Sequence, residues 1–66
     1  MILRVNGRVL ETEAPTTVRQ LLEKLGFDRG PVAVERNGEL VPRVDHGGVE
    51  LGDGDVVEII ELSGGG

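Results

Sequence analysis

Two Asn-Gly pairs, Asn6-Gly7 and Asn37-Gly38, constrain the fold more than any other feature of this sequence. Each pair lies between short runs of aliphatic residues, which are typical of β-strands. A two-residue type I′ turn needs a positive φ angle at both central positions, and Asn followed by Gly adopts it with little steric cost. The sequence therefore predicts two β-hairpins, with strands at residues 2–5, 8–12, 32–36 and 39–41.

One amphipathic helix is predicted between the hairpins. Four aliphatic residues are spaced at i, i+3, i+4 and i+7 and so share one helical face: Val18, Leu21, Leu22 and Leu25. Thr17 followed three residues later by Gln20 is typical of a capping box. Gly26 suits the left-handed residue that closes a helix, with Phe27 folding back on the last turn. Because so short a helix is unstable alone in water, its apolar face must pack on a sheet.

The strongest β-pattern is the run rich in Val and Ile at residues 56–62. It follows an irregular connection at 43–50 and a turn cluster at 51–55. The element order is therefore β-β-α-β-β-β. If the last strand lies beside the first and parallel to it, the chain forms an α+β fold of the β-grasp (ubiquitin-like) type. We predict such a domain over 1–62, with a mixed five-stranded sheet, one main helix on one face, and a flexible glycine tail over 63–66.

The composition excludes several classes of function. A chain of 66 residues allows one small domain, without room for a large core and a deep substrate pocket. It has no Cys, which excludes disulfides, a thiol nucleophile and a Cys-ligated zinc. A net charge of −5 without a basic stripe argues against nucleic acid. No apolar run approaches the ~20 residues of a membrane span. We expect a cytoplasmic protein that is monomeric when free.

Two features could indicate a catalytic histidine or a calcium site, but we interpret both as structural. His46 lies beside Asp45 but has no nucleophile placed with it, so we predict a histidine in a surface loop. The segment 52–55, Gly-Asp-Gly-Asp, lacks the spacing and the closing Glu of a calcium loop, so we predict a turn. We therefore assign no catalytic residue and no metal site.

The aliphatic residues of the last strand are not confined to one face. In an alternating strand, Val57 and Ile59 point to one face, whereas Ile60 and Leu62 point to the other. In the first strand, Ile2 likewise points to the face opposite that of Leu3 and Val5. A sheet covered on one face normally alternates more cleanly. Ile2, Ile60 and Leu62 are therefore candidates for docking a partner protein on the face opposite the helix. The alternative is that they are scattered surface residues, which are normal in soluble proteins.

Charge is unevenly distributed along the chain. Residues 44–66 contain six Asp and Glu residues and no Lys or Arg. This acidic segment is either a solvated face that aids solubility or a surface that steers the chain towards a basic partner.

The sequence resembles the ThiS family of sulfur carriers, within the broader ThiS/MoaD ubiquitin-like group. The resemblance covers the whole chain and is carried by the segments 5–7 (Val-Asn-Gly), 17–22, 32–43, 54–60 and the closing glycines Gly64, Gly65 and Gly66. Molybdopterin-type carriers are usually longer, with aromatic and Pro-containing segments before the glycines. The segment 61–63, Glu-Leu-Ser, lacks those features.

The resemblance implies a function for the C-terminus. A ThiF-like adenylyltransferase, using ATP and magnesium, would adenylate the carboxylate of Gly66. A sulfur-donating enzyme would convert the adenylate to a thiocarboxylate, and a ThiG-like thiazole synthase would use that sulfur to build the thiazole of thiamine. Gly65 and Gly64 would thread the partner's channel. The chain itself would be a protein co-substrate that binds no cofactor, not an enzyme.

Two alternatives remain open from the sequence. Within the same class, the alternative is a sulfur carrier for molybdopterin formation, tRNA thiolation or cysteine synthesis. A different class is a non-covalent ubiquitin-like interaction module whose tail is inert.

Overall fold

A computed structural model describes residues 1–62 of the chain. Its elements are β1 (Ile2–Val5), β2 (Arg8–Glu11), α1 (Val18–Leu25), β3 (Val32–Arg36), β4 (Glu39–Val41), a 3-10 helix (Arg43–Asp45) and β5 (Val56–Glu61). The five strands form one sheet in the order β2-β1-β5-β3-β4. β5 is parallel to β1 and antiparallel to β3, which makes the sheet mixed and places the last strand at its centre. The predicted β-grasp architecture is confirmed.

Both hairpins close through the predicted Asn-Gly turns. The φ angles of Asn6 and Asn37 are 50° and 52°, and those of Gly7 and Gly38 are 80° and 85°. All four therefore lie in the left-handed region, as a type I′ turn requires. This turn matches the right-handed twist of the flanking strands, so each hairpin register follows from local sequence.

The helix begins and ends as predicted. Thr17 Oγ1 accepts a hydrogen bond from the Gln20 N–H at 3.1 Å, and Gln20 Oε1 accepts one from the Thr17 N–H at 2.9 Å. At the other end Gly26 has a φ of 82°, and the Phe27 N–H donates to the Leu22 carbonyl at 2.8 Å. These bonds satisfy backbone groups that have no partner inside the helix.

The core lies between α1 and one face of the sheet. Alternate residues of the strands and the apolar side of the helix meet there and are almost fully buried: Leu3, Val5, Val18, Leu21, Leu22, Val34, Val41, Val57 and Ile59. Leu25, the last residue of the predicted stripe, is 37% exposed because it lies at the end of the helix. Burial of the Leu and Val side chains supplies the main favourable free energy of folding.

The connection between β4 and β5 is more ordered than the sequence indicates. His46, predicted to lie in a surface loop, is only 5% exposed, so that prediction is wrong. The 3-10 helix turns the chain back so that His46 Nε2 lies 3.1 Å from the Val41 carbonyl oxygen. The His46 carbonyl accepts a hydrogen bond from the Arg19 N–H at 2.8 Å. Leu51, placed by the sequence in a turn cluster, also belongs to the core.

Candidate functional site

The candidate site is the C-terminal end of β5, where the chain leaves the sheet. The Leu62 N–H donates a hydrogen bond to the Pro31 carbonyl at 3.0 Å, just beyond the pairing of Glu61 with Val32. The predicted modification residue Gly66 and the predicted threading residues Gly65 and Gly64 lie outside the described residues, as does the rest of the predicted tail. The structure therefore describes the strand that precedes these residues in the sequence.

On one side, β5 is held by the side chain of Asn6. The parallel pairing of β1 with β5 covers only the positions of Arg4 and Val5. Beyond it, the Asn6 Oδ1 accepts a hydrogen bond from the Ile59 N–H at 2.7 Å, and Asn6 Nδ2 donates to the Ile59 carbonyl at 3.3 Å. The side-chain amide thus replaces the backbone partner that β5 loses when β1 turns away.

On the other side, Asn37 holds the beginning of β5. Its Oδ1 accepts a hydrogen bond from the Val56 N–H at 2.9 Å, and its Nδ2 donates to Asp55 Oδ1 at 3.0 Å. From the sequence, Asn6 and Asn37 were predicted only to form the hairpin turns, and their side-chain hydrogen bonds to β5 were not predicted. The choice of Asn over Asp at both positions is a usable signal, because an ionised Asp cannot donate a hydrogen bond.

Asp55 immediately precedes β5, and its carboxylate is held by groups from the turn before it, from β3 and from the β3–β4 turn. It is 8% exposed, and its Oδ2 accepts hydrogen bonds from the Gly52 N–H at 2.7 Å and from Arg36 Nε at 2.8 Å. Burial by itself raises the pKa of the Asp55 carboxyl, but the hydrogen bonds from Gly52, Asn37 and Arg36, with the charge of Arg36, outweigh it. The pKa of Asp55 is therefore held below its ordinary value of 3.8. The turn predicted at 52–55 is present. The hydrogen bonds that its Asp55 carboxylate accepts from Gly52, Asn37 and Arg36 were not predicted from the sequence.

Ile2 and Ile60, two of the predicted docking residues, lie on the sheet face opposite the helix, and Leu62, the third, lies just beyond the end of β5. Ile2, Ile60 and Leu62 are 43%, 47% and 49% exposed. The register nevertheless separates them, because Arg4 is level with Val56 in the parallel pair. Ile2 is thus six positions from Ile60 along the strand direction, about 20 Å at ~3.3 Å per residue. Ile60 and Leu62 lie together near the end of β5, and Ile2 lies at the other end of the sheet.

Further exposed aliphatic residues on the same face were not predicted. Val9 lies opposite Arg4 on β2, and Leu40 lies opposite Glu35 on β4. Val56, Val9 and Leu40 are all exposed. Successive side chains of a strand point to opposite faces of the sheet. Since Leu10 and Val41 point towards the core, their neighbours Val9 and Leu40 point towards the outer face.

The described residues 1–62 contain neither a candidate metal site nor a candidate membrane span. Within this range no group of three or more His, Asp or Glu side chains is placed to hold a metal ion. In the same part of the chain, no helix has the length and apolar character to cross a bilayer. What the arrangement does offer is a strand fixed along both edges, a C-terminal segment that begins beside Pro31, and an exposed sheet face beside it.

The fold and the central position of its last strand define a ubiquitin-like β-grasp domain. The ThiS family model matches residues 3–66, so the chain belongs to the ThiS family. It is 36% identical over 66 residues to the sulfur carrier protein ThiS of Bacillus subtilis, covering 98% of this chain and 100% of that protein. The crystal structure of the thiamine biosynthesis protein ThiS from Geobacter metallireducens superposes with a TM-score of 0.84 at 35% identity, with both chains covered completely.

Longer relatives contain a similar segment. The chain is 46% identical over 66 residues to the thiazole synthase of Paramagnetospirillum magneticum and 42% identical to that of Magnetococcus marinus. All of this chain is matched in each case, but it spans only 20% of the length of those proteins.

Replacing Asn6 with Gly should weaken the support of β5. Gly keeps the positive φ of the turn but removes both hydrogen bonds to Ile59. We expect the free energy of unfolding, measured in urea at neutral pH, to fall by about 1–2 kcal/mol, with faster amide exchange at Ile59. Asn6→Asp keeps the acceptor for the Ile59 N–H and should lose less. Equal free energies of unfolding in Asn6→Gly and wild type would contradict this role.

The Asp55 contribution should depend on pH. A carboxyl whose pKa is lower in the folded than in the unfolded chain stabilises the fold above the unfolded pKa, and the effect disappears as the pH falls through the folded pKa. We therefore expect Asp55→Asn to be about 1.5–3 kcal/mol less stable than wild type near neutral pH. The difference should shrink as the pH falls below the ordinary value of 3.8. Urea unfolding of both chains across this range tests it, and a difference independent of pH would contradict it.

Proposed function

We propose that this chain is a sulfur carrier of thiamine biosynthesis, whose Gly66 carboxylate becomes a thiocarboxylate that supplies sulfur to the thiazole ring. The observation that carries the proposal is the ThiS family match, because it extends over residues 3–66 and includes the closing glycines. The match to Bacillus subtilis ThiS over the whole of that protein supports the same conclusion. In this role the chain is a co-substrate of other enzymes and performs no catalysis itself.

The proposed chemistry begins with a carboxylate that needs activation. A C-terminal carboxyl has a pKa of ~3.3–3.7 and is ionised at neutral pH, so it resists attack by a sulfur nucleophile. In a ThiF-like adenylyltransferase one carboxylate oxygen attacks the α-phosphorus of ATP, and pyrophosphate leaves. A persulfide-type sulfur from a donor enzyme then attacks the acyl carbon and AMP leaves, giving an acyl disulfide. A thiolate of the donor system attacks the donor-side sulfur of that disulfide, so a new disulfide forms and the thiocarboxylate leaves. Magnesium and ATP belong to the activating enzyme.

The described part of the chain suits this role mechanically. β5 is paired with β1 and β3, and the amides of Asn6 and Asn37 extend those pairings. Because β5 is held firmly in the sheet, docking of the domain on a partner would also fix the point at which the C-terminal segment begins. Gly64 and Gly65 carry no side chain, so they fit a narrow channel from which water is excluded and the adenylate is protected from hydrolysis.

A ThiG-like thiazole synthase is the proposed recipient of the sulfur. Two thiazole synthases contain a segment similar to this whole chain, which supports a functional association between the two activities. Ile60 and Leu62 are the proposed docking residues beside the tail. Ile2, at the other end of the same face, would contact only a partner that covers the full length of the sheet.

Modification at Gly66 is tested by intact mass spectrometry. Incubated with ATP, magnesium, a ThiF-type adenylyltransferase and a sulfur donor, the full chain should gain the mass of one sulfur in place of one oxygen. Deleting Gly66 should abolish this change while leaving the circular dichroism spectrum and the urea midpoint unaltered. A mass increase that survives the deletion would refute Gly66 as the modified residue.

The docking role of β5 is tested by Ile60→Asp and Leu62→Asp. Both side chains are about half exposed, so we expect the free energy of unfolding to change by less than about 1 kcal/mol. The KM of the adenylyltransferase for the chain should rise by roughly tenfold or more. Val44→Asp is the matched control, since Val44 is 89% exposed and lies in the 3-10 helix. A large loss of stability in Ile60→Asp, or equal KM values in Ile60→Asp and Val44→Asp, would contradict this role.

A further inference from the structure

The two hairpin turns carry the groups needed for a slow chemical modification of their own asparagines. Asn6 and Asn37 are each followed by a glycine, and both pairs are exposed to water. Asparagine is a thermally labile residue, and a following glycine has no side chain to shield its backbone nitrogen. A methyl group placed on either glycine would meet no heavy atom of another part of the chain within 4 Å. Nothing in the described fold therefore crowds the glycine nitrogen at either turn.

The reaction is deamidation, and it needs no reagent besides water. The glycine nitrogen attacks the side-chain amide carbon of the asparagine, and ammonia leaves with the proton that the glycine nitrogen loses. Water then opens the cyclic imide at one of its two carbonyl carbons. One product is aspartate, and the other is isoaspartate, in which the main chain runs through the former side chain. Both products carry a negative charge that asparagine lacks.

Tertiary hydrogen bonds oppose this ring closure at both turns. The Asn6 amide is held at both ends by Ile59, with its Oδ1 2.7 Å from the N–H nitrogen and its Nδ2 3.3 Å from the carbonyl oxygen. The Asn37 amide is held by the Val56 N–H at 2.9 Å and by Asp55 Oδ1 at 3.0 Å. Ring closure draws the amide carbon to bonding distance of the glycine nitrogen and expels the Nδ2 group. The bonds that fix each amide must therefore break first.

We propose that Asn6 and Asn37 are sites of spontaneous deamidation that their bonds to β5 and Asp55 hold back, so that each reacts only when β5 opens locally. Native proteins open in such local steps at a free energy below that of complete unfolding. The rate of modification then reports how often β5 separates from each turn. This inference goes beyond the carrier function and does not depend on it.

The two modifications have unequal effects on the fold. An aspartate at either position still accepts a hydrogen bond from β5, but it no longer donates one. At position 6 the lost donor faces the neutral Ile59 carbonyl, whereas at position 37 it faces the Asp55 carboxylate. Conversion of Asn37 therefore brings two negative groups to hydrogen-bond distance, which disfavours the folded state. We expect the modification of Asn37 to loosen the beginning of β5 more than that of Asn6 loosens its middle.

Ageing of the full wild-type chain at neutral pH, folded and in denaturing urea, tests the proposal. Trypsin cuts after each arginine and so places the two asparagines in separate peptides, residues 5–8 and 37–43. Mass spectrometry of these peptides follows the replacement of the amide by a carboxyl group. We expect both sites to react roughly tenfold or more slowly in the folded chain than in urea. Equal rates in the two conditions at either site would overturn the protection proposed there.

Asp55→Ala separates the local bonds from the stability of the whole domain. It removes the acceptor of the Asn37 Nδ2 group, so Asn37 should deamidate several times faster in the folded variant than in wild type. Asn6 in the same sample is an internal control, because global opening accelerates both sites. Asp53→Ala is the matched control, since Asp53 lies in the same turn but bonds the Ile2 N–H. An unchanged rate at Asn37 in Asp55→Ala, or equal acceleration at Asn6 and Asn37, would overturn the proposal.

A comparison of stability covers the case in which Asp55→Ala fails to fold. Asn37→Asp and Asn6→Asp reproduce one product of each modification without ageing. The urea midpoint of Asn37→Asp should fall further below that of wild type than the midpoint of Asn6→Asp does, because only position 37 faces a carboxylate. Equal midpoints in the two variants, or the reverse order, would contradict the proposed effect of Asn37 deamidation.

Discussion

The structure depends on the insertion of β5 between β1 and β3. The two hairpins are local, but they form one sheet only because a strand from the far end of the chain pairs with both. The parallel pairing with β1 is short, and the amide of Asn6 extends it to Ile59. Asn37 and Asp55 hold the other end of the strand. Val57 and Ile59 then complete the core beneath the helix.

This arrangement joins stability to function. The strand that precedes the C-terminal residues is paired along both edges, and such strands are among the last elements to open in a native protein. Val57 and Ile59 are buried, whereas Val56, Glu58 and Ile60 are exposed, so one strand contributes both to the core and to the proposed docking face. This combination suits the proposed sulfur carrier, whose chemistry would take place in the active sites of other proteins.

The sheet face opposite the helix contains residues that do not stabilise the free domain. Glu35 and Glu58 repel each other in the free domain, and several aliphatic side chains remain in water beside them. Each feature is mildly unfavourable for the monomer alone. Ile60 on this face is a proposed docking residue, whereas Val57 and Ile59 on the other face belong to the core.

The elements closest to local sequence were predictable, whereas the burial of His46 and the separation of Ile2 from Ile60 were not. Caps and turns such as Thr17 and Asn6-Gly7 depend on neighbours within a few residues, so their chemistry can be interpreted before the fold is known. His46 was misplaced because its burial follows from a 3-10 helix that has no periodic signature. The predicted grouping of Ile2 with Ile60 did not take the β1–β5 register into account, which separates them.

The sequence by itself determined the two hairpins, the capped helix, the β-grasp order of elements and the resemblance to a sulfur carrier. The hairpins, the helix and the element order follow from spacing along the chain, whereas the carrier function is what the family resemblance implies. Only the tertiary structure decided that Asn6 and Asn37 hold β5, that Asp55 pairs with Arg36, and that Glu35 lies opposite Glu58. These relations join residues from about 18 to 53 positions apart. Their geometry is set by strand register, which is defined when the sheet closes around β5.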